Sequence, residues 1–401
     1  MEKAILILLS CLLLLSCKKE GNEQSYVLLI SIDGFRHDYA ERYQATNLLK
    51  IAREGTQTTS LIPCYPSKTF PNHYSIVTGL YPENHGIVDN YFYDPELDDS
   101  YMANSGEDVR EGDWYGGIPI WSLVNQQGLK SATYFWIGSE AEINETRPTY
   151  YKKFNPSTKP TEVSNQIVDW LKLPAESRPH FIGAYYSLVD AAGHTYGVDS
   201  PELKNAVNEM DNQIGWLRNE IDQLNLPINI VIVSDHGMTN TNYQKPIYLS
   251  DFIDLDSMKH VIRDSHTMVY ASDTLVRNTL YNTLKINKGK KYKIHHKEEI
   301  PKEYNFRNNV RIGDILLVAN HPHIFSKRNW VNGKGTHGYD PINKDMHGIF
   351  YAIGPDIQEN LQIDAFENIH LYPMLAKILQ LSYDTTQIDG DPKVLDKVTI
   401  E

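Results

Sequence analysis

Three apolar runs in this chain each stop at an aspartate, and that pattern does most to limit the folds open to it. VLLISI (27–32) runs into Asp33-Gly34, YYSLV (185–189) into Asp190, and INIVIVS (228–234) into Asp235-His236-Gly237. Short runs this apolar read as strands buried on both faces. Further candidates are 131–136 and 348–353, and the run before Asp190 reads as a strand over 180–189. Amphipathic stretches lie between them, so the chain predicts an α/β fold, a sandwich with a mostly parallel central sheet flanked by helices. In such sheets ligands bind beyond the carboxyl ends of the strands. One Asp-Gly is an ordinary turn. Three acids at three strand ends, two of them with a histidine nearby, predict a shared site.

The clearest helix follows Ser200-Pro201, an N-cap and a first helical residue. Apolar residues then recur from Val207 through Met210, Ile214, Leu217 and Ile221 to Leu224 at near-helical spacing. Shorter helices are expected over 161–173 and 370–380. Residues 241–330 are more polar and carry the basic run Lys288-Gly289-Lys290-Lys291, read as a solvated hairpin. This stretch is expected to be an insertion or cap on a catalytic core formed by 26–240 and 331–401.

The N-terminus reads as a targeting device. After Met1-Glu2-Lys3, residues 4–16 (AILILLSCLLLLS) are too few to span a bilayer, which takes roughly 20 residues. They suit a secretory signal over 1–16. Leu14-Leu15-Ser16-Cys17 resembles a bacterial lipobox, which implies lipidation of Cys17, a tether over 17–25 and a place on the cell envelope. With 3 Cys in all, a disulfide-framed fold is excluded. The net charge of -13 argues against a nucleic-acid binder. It also means that an anionic substrate needs local positive charge, such as metal ions.

The residues for that are present. Asp190 and His194 stand four apart, Asp235 and His236 are adjacent, and His337 is flanked by glycines. Carboxylate oxygen and imidazole nitrogen are the ligand types of catalytic zinc. Three acids and three histidines supply three ligands to each of two ions, and two close ions suit phosphoryl transfer. His73, His85, His260, His266, His321 and His323 are read as ordinary structural or surface histidines. In PSKTFPNHYSIVTGL (66–80), Pro71 fits the first turn of a helix and Gly79 its end. Thr69 then falls just before the helix N-terminus, where an anion is favoured. A hydroxyl needs activation to act as a nucleophile, and a neighbouring zinc provides it; the alternative for Thr69 is a capping hydroxyl.

Taken together, ISIDGFR (30–36), KTFPNHYSIVTGLYPENHGIVDN (68–90), GGIPIW (116–121), YYSLVDAAGHTYGVDS (185–200), VSDHGM (233–238) and GTHGYDP (335–341) resemble the nucleotide pyrophosphatase/phosphodiesterase family of the alkaline phosphatase superfamily. The resemblance implies a two-zinc hydrolase of small phosphodiester or pyrophosphate substrates, with nucleotides favoured. Thr69 matches the nucleophile. Asp33, Asp235 and His236, with Thr69 itself, match the ligands of the first zinc; Asp190, His194 and His337 match those of the second. Asn90 matches the side chain that binds a non-bridging phosphate oxygen. Phe70 and Tyr185 match aromatics that sandwich the base. The family's route passes through a covalent phospho-threonine ester, which water then hydrolyses. Val189, Ile118 and Val198 depart from the usual pattern, which bears on pocket shape rather than on the metal ligands.

Four other readings compete. A sulfatase would use Cys64 of Cys64-Tyr65-Pro66-Ser67-Lys68, but Lys68 replaces the signature's Arg. Thr69, not Cys64, stands nine residues before Thr78-Gly79, the sulfatase spacing. A phosphomonoesterase would need an Arg near the nucleophile. A phospholipase C-like hydrolase of choline phosphodiesters would use the same metal site. A lipid-tethered binding protein would have lost a ligand or Thr69, and all are present.

Overall fold

The structure is a computed structural model that describes residues 24–271, 273–328, 330 and 333–400. The expected signal over 1–16, the lipidation site Cys17 and nearly all of the tether lie outside the described residues. Among the described residues no helix is long and apolar enough to cross a membrane.

The strand Tyr26–Ile32 forms the middle of an eight-stranded sheet, and all seven of its residues are buried. Val27 and Leu29 enter the core on one face; Leu28, Ile30 and Ile32 enter the core on the other. This two-residue alternation between two buried faces is why the run is apolar throughout. On one side Phe181–Tyr186, Ser131–Tyr134 and Tyr150–Lys152 follow in parallel. On the other side Ile228–Val233 is parallel and Phe350–Ile353 antiparallel. Thr56–Thr58 and Leu361–Ile363 complete that edge. One strand thus opposes the other seven, and the sheet is mixed but mostly parallel.

Helices cover both faces. Thr46–Glu54, Pro160–Leu171 and Pro201–Asp222 share one core, with Leu48, Ile51, Val163, Ile167, Leu203, Val207 and Met210 buried in it. Thr69–Thr78, Ile120–Gln126 and Leu371–Ile378 share the other, through Tyr74, Ile76, Trp121, Val124, Leu371 and Leu375. The long helix starts as its sequence requires: Ser200 Oγ accepts from the Leu203 N–H at 3.1 Å, and Pro201 takes the first helical position.

Several expected boundaries move. The run over 180–189 is strand only to Tyr186; Leu188–Tyr196 is a helix, with Asp190 in its first turn. Apolar content does not separate a buried strand from the buried start of a helix. The strand expected over 131–136 stops at Tyr134, because Phe135 takes φ +64°, which no strand continues. The strand expected over 348–353 begins at Phe350. Thr69 is the first helical residue rather than the one before it, and Lys68 is the extended N-cap. That helix ends at Gly79, whose φ of +69° is the left-handed cap glycine adopts at least cost.

Within 241–330 lies a separate four-stranded antiparallel sheet. Its order is Lys259–Ile262, His266–Tyr270, Ile315–Ala319 and Tyr292–His296. Met268, Leu316 and Val318 face the main body's core. Val269, Ile315 and Leu317 face a core of their own with Leu280 and Leu284 of the helix Thr274–Asn287. The basic run is the turn from that helix into Tyr292–His296, not a hairpin, with Lys290 and Lys291 exposed.

Candidate metal centre and active site

Sheet register explains why three acids distant in sequence meet. Ile32 pairs with Tyr186 and Ser31 with Val233, so the carboxyl ends of three adjacent parallel strands are level. The next residues on each chain segment deliver Asp33, Asp190 and Asp235 to one edge. Gly34 makes the approach possible. Its φ is +67°, and a Cβ there would stand 3.0 Å from Asp190 Cα.

Two of the imidazoles come with the acids, His194 on the helix of Asp190 and His236 next to Asp235, and His337 arrives from a separate segment; each is held by its Nδ1. His194 Nδ1 meets Gly335 O at 2.9 Å, His236 Nδ1 meets Gly237 O at 2.8 Å, and His337 Nδ1 meets Ser67 O at 2.8 Å. A carbonyl only accepts, so Nδ1 carries the proton in each. The Nε2 lone pairs are left for the site, the arrangement typical of metal-binding histidines. His236 Nε2 lies 3.0 Å from Asp235 Oδ2 and 3.4 Å from Asp33 Oδ1. His194 and His337 Nε2 lie 3.5 and 3.9 Å from Asp190 Oδ1. Asp33 Oδ1, Asp190 Oδ1 and Asp235 Oδ2 are all buried without a hydrogen-bond partner. Lone pairs facing lone pairs in a buried site repel unless a cation lies among them.

Charge behaviour agrees. Burial, with the charges of Asp235 and Asp190, drives the Asp33 carboxyl far above the usual carboxylate range. Asp235 lies well below it: burial pushes it up, but the adjoining imidazoles of His236 and His73 outweigh burial. Burial, helped by neighbouring His236, Lys68 and His194, pushes His337 far down, so it is neutral, as a ligand must be. The donor set fits divalent metal ions, and two overlapping groups that share His236 each bring three donors close enough for one. Asp33, Asp235 and His236 form one; Asp190, His236 and His337 form the other, with donor atoms within 4.8 Å of one another. The second trio differs from the expected one. His194, on the same helix as Asp190, stands just outside it, and His236 is common to both.

Thr69 Oγ1 is 3.2 Å from His236 Nε2, at the mouth of this centre. The Phe70 N–H donates to Asn90 Oδ1 at 2.9 Å, which fixes the amide so that Nδ2 remains for a ligand. Thr69, Phe70, Asn90, Asp33 and Asp190 line one cleft of about 570 Å³, walled further by Tyr91, Phe135 and Phe154. Tyr185 also borders the cleft, but not as a free aromatic face. Its hydroxyl donates to Asp33 Oδ2 at 2.5 Å, its ring packs edge-on to His73, and only 8% of it is exposed. Phe154, 54% exposed, is the open aromatic of the cleft; its N–H donates to Glu140, which also pairs with Arg110. Phe154 sits in a polar stretch with no periodicity to mark it.

Two of the histidines read as ordinary structural ones are buried beside acids. His73 Nδ1 lies 3.3 Å from Asp235 Oδ2, and its Nε2 bonds Ser31 Oγ at 2.7 Å. His266, buried in the four-stranded antiparallel sheet, bonds Asp89. Cys64 is a buried thiol donating to Asn368 Oδ1 at 3.2 Å.

The fold and site together define an α/β sandwich of the alkaline-phosphatase-like class. Structures of murine and human ectonucleotide pyrophosphatase/phosphodiesterase 5 superpose with a TM-score of 0.89 at 27% identity, covering 94% of this chain and 100% of those chains. The murine one is an inactive threonine-to-alanine variant in complex with AMP. The family described as type I phosphodiesterase/nucleotide pyrophosphatase matches residues 27–340, and the chain belongs to it. It is 36% identical over 382 residues to a venom phosphodiesterase of Naja atra. It is 36% identical over 381 residues to ectonucleotide pyrophosphatase/phosphodiesterase family member 1 of Homo sapiens. Each alignment takes in 90% of this chain but only 45% and 40% of those longer proteins.

Proposed function

We propose that the chain is a zinc-dependent nucleotide phosphodiesterase/pyrophosphatase that works through a covalent phospho-threonine. The observation that carries this reading is a threonine hydroxyl at the mouth of two carboxylate–imidazole groups, beside a cleft with open aromatic walls. Zinc held by Asp33, Asp235 and His236, and by Asp190, His337 and the adjacent His194, would supply the positive charge that activates the hydroxyl and stabilises the leaving oxygen. The remaining work belongs to the chain. Thr69 Oγ1 forms a bond to phosphorus as the bond to the leaving oxygen breaks. Asn90 Nδ2 donates to a non-bridging oxygen, and water then displaces Thr69 from the opposite side. The Tyr185 hydroxyl holds Asp33 in place, and the Gly34 N–H donates to Asp235 Oδ1 at 3.3 Å. Phe70 and Phe154 flank the nucleobase, a role that the hydrogen-bonded Tyr185 fits less well. The AMP-bound relative supports a nucleotide in this cleft.

The test compares kcat/KM for nitrophenyl thymidine monophosphate, nitrophenyl phosphorylcholine and nitrophenyl phosphate. The nucleotide diester is expected to lead. In Phe154→Ala its KM should rise about 5- to 100-fold, the range that base stacking carries, with nitrophenyl phosphate unaffected. A lead for the choline ester would move the function to lipid head groups with the same centre. A lead for the monoester would refute the diesterase reading; the arginine lining the cleft, Arg110, is tied to Glu140.

A further inference from the structure

Asp89 and His266 form a fully buried pair that the proposed chemistry leaves unused. His266 Nε2 stands 2.6 Å from Asp89 Oδ2, and both side chains are wholly buried. The partners are 177 residues apart in sequence. Asp89 belongs to the segment before Asn90, and His266 opens the strand His266–Tyr270 of the four-stranded antiparallel sheet.

The second oxygen of the same carboxylate has its own task. Asp89 Oδ1 accepts from the main-chain N–H of Asn90 at 2.6 Å. Asn90 is therefore held at three points, by Asp89 through its N–H, by the Ala103 N–H through its carbonyl and by the Phe70 N–H through its side-chain oxygen. Its Nδ2 is the group left to face substrate. A carboxylate turned by one oxygen turns the other, so the bond to His266 sets the plane that presents Oδ1 to Asn90. Ser265 Oγ lies 3.2 Å from His266 Nδ1 and can donate to it, which leaves the Nε2–H for Asp89. The ring of Tyr65 packs at a tilt against the imidazole, 6.2 Å between centroids. Arg263 and Lys68 also direct positive charge at Asp89. Without His266 the carboxylate would turn toward them and release the Asn90 N–H.

We propose that His266 is a positioning residue that acts through Asp89 to aim the Asn90 amide at the phosphoryl oxygen, so that the four-stranded antiparallel sheet takes part in setting the active-site geometry. This rests on the reading of Asn90 given above, and the test separates the two. His266→Met fills the space without a donor, and His266→Gln restores an N–H at the same reach. Each is made alone and together with Asn90→Ala, and kcat/KM for the nucleotide diester is measured with thermal unfolding as a folding control.

His266→Met should lose about 10-fold to 100-fold, as when a partner orienting a working group is removed. His266→Gln should stay within about threefold of the parent. In the Asn90→Ala background His266→Met should cost less than about threefold, because a residue that acts only through Asn90 has nothing left to position. If His266→Met does not accumulate as folded protein, Asp89→Asn takes its place with the same expectation. An equal loss in both backgrounds, or no loss at all, would overturn the positioning role. An inert Asn90→Ala would instead overturn the reading of Asn90.

Discussion

Thr69→Ala is expected to lower kcat for a nucleotide diester by about three orders of magnitude or more, as loss of a covalent nucleophile does, while the chain stays folded. The two effects separate because the hydroxyl has little structural work. Its hydrogen bond is the one to His236 Nε2, worth about 1 kcal/mol. A small shift in unfolding midpoint should therefore accompany a nearly complete loss of turnover. Metal content should be unchanged, since Asp33, Asp235 and His236 remain. Single-turnover kinetics, thermal unfolding and metal analysis measure the three quantities. Turnover close to that of the parent would remove Thr69 from the chemistry.

Removing metal is expected to abolish turnover and to lower the unfolding midpoint by several degrees. The reason is electrostatic. Asp33, Asp190 and Asp235 bring three carboxylates to one edge, each with a buried oxygen lacking a hydrogen bond. A buried charge that has lost its partner costs about 3–5 kcal/mol. An ion that binds only the folded chain, present at a thousandfold excess over its Kd, contributes about 4 kcal/mol. Dialysis against a chelator, followed by unfolding with and without added zinc, tests this. Recovery of both midpoint and activity on adding about two equivalents of zinc is the expected result. An unchanged midpoint and full activity in the metal-free chain would mean that the cluster is not a metal centre.

Strand-end aspartates were legible because a strand buried on both faces must be apolar, so a sudden acid stands out. The same logic misplaced Asp190. Leu188 and Val189 are as apolar as a strand requires, and the turn into helix at Ser187 leaves no mark in composition. The Thr69 helix was legible from Pro71 and Gly79, to within one residue. The place of Tyr185 beside the site is as expected, but its hydroxyl is committed to Asp33, and the open aromatic is Phe154. Nothing local to Phe154 announces it, because exposure in a cleft is a property of the assembled fold. The contacts of His73 and His266 are equally hidden in the sequence, because their acidic neighbours, Asp235 and Asp89, lie 162 and 177 residues away.

The central claim is that phosphorus is transferred to Thr69 before water takes it. Stereochemistry at phosphorus tests this most directly. Each in-line displacement inverts the centre, so two in succession restore it. A nitrophenyl nucleoside phosphorothioate of one configuration, hydrolysed in oxygen-18 water, should give product with retained configuration at phosphorus. Inversion would mean that water attacks in a single step and that Thr69 never carries the phosphoryl group.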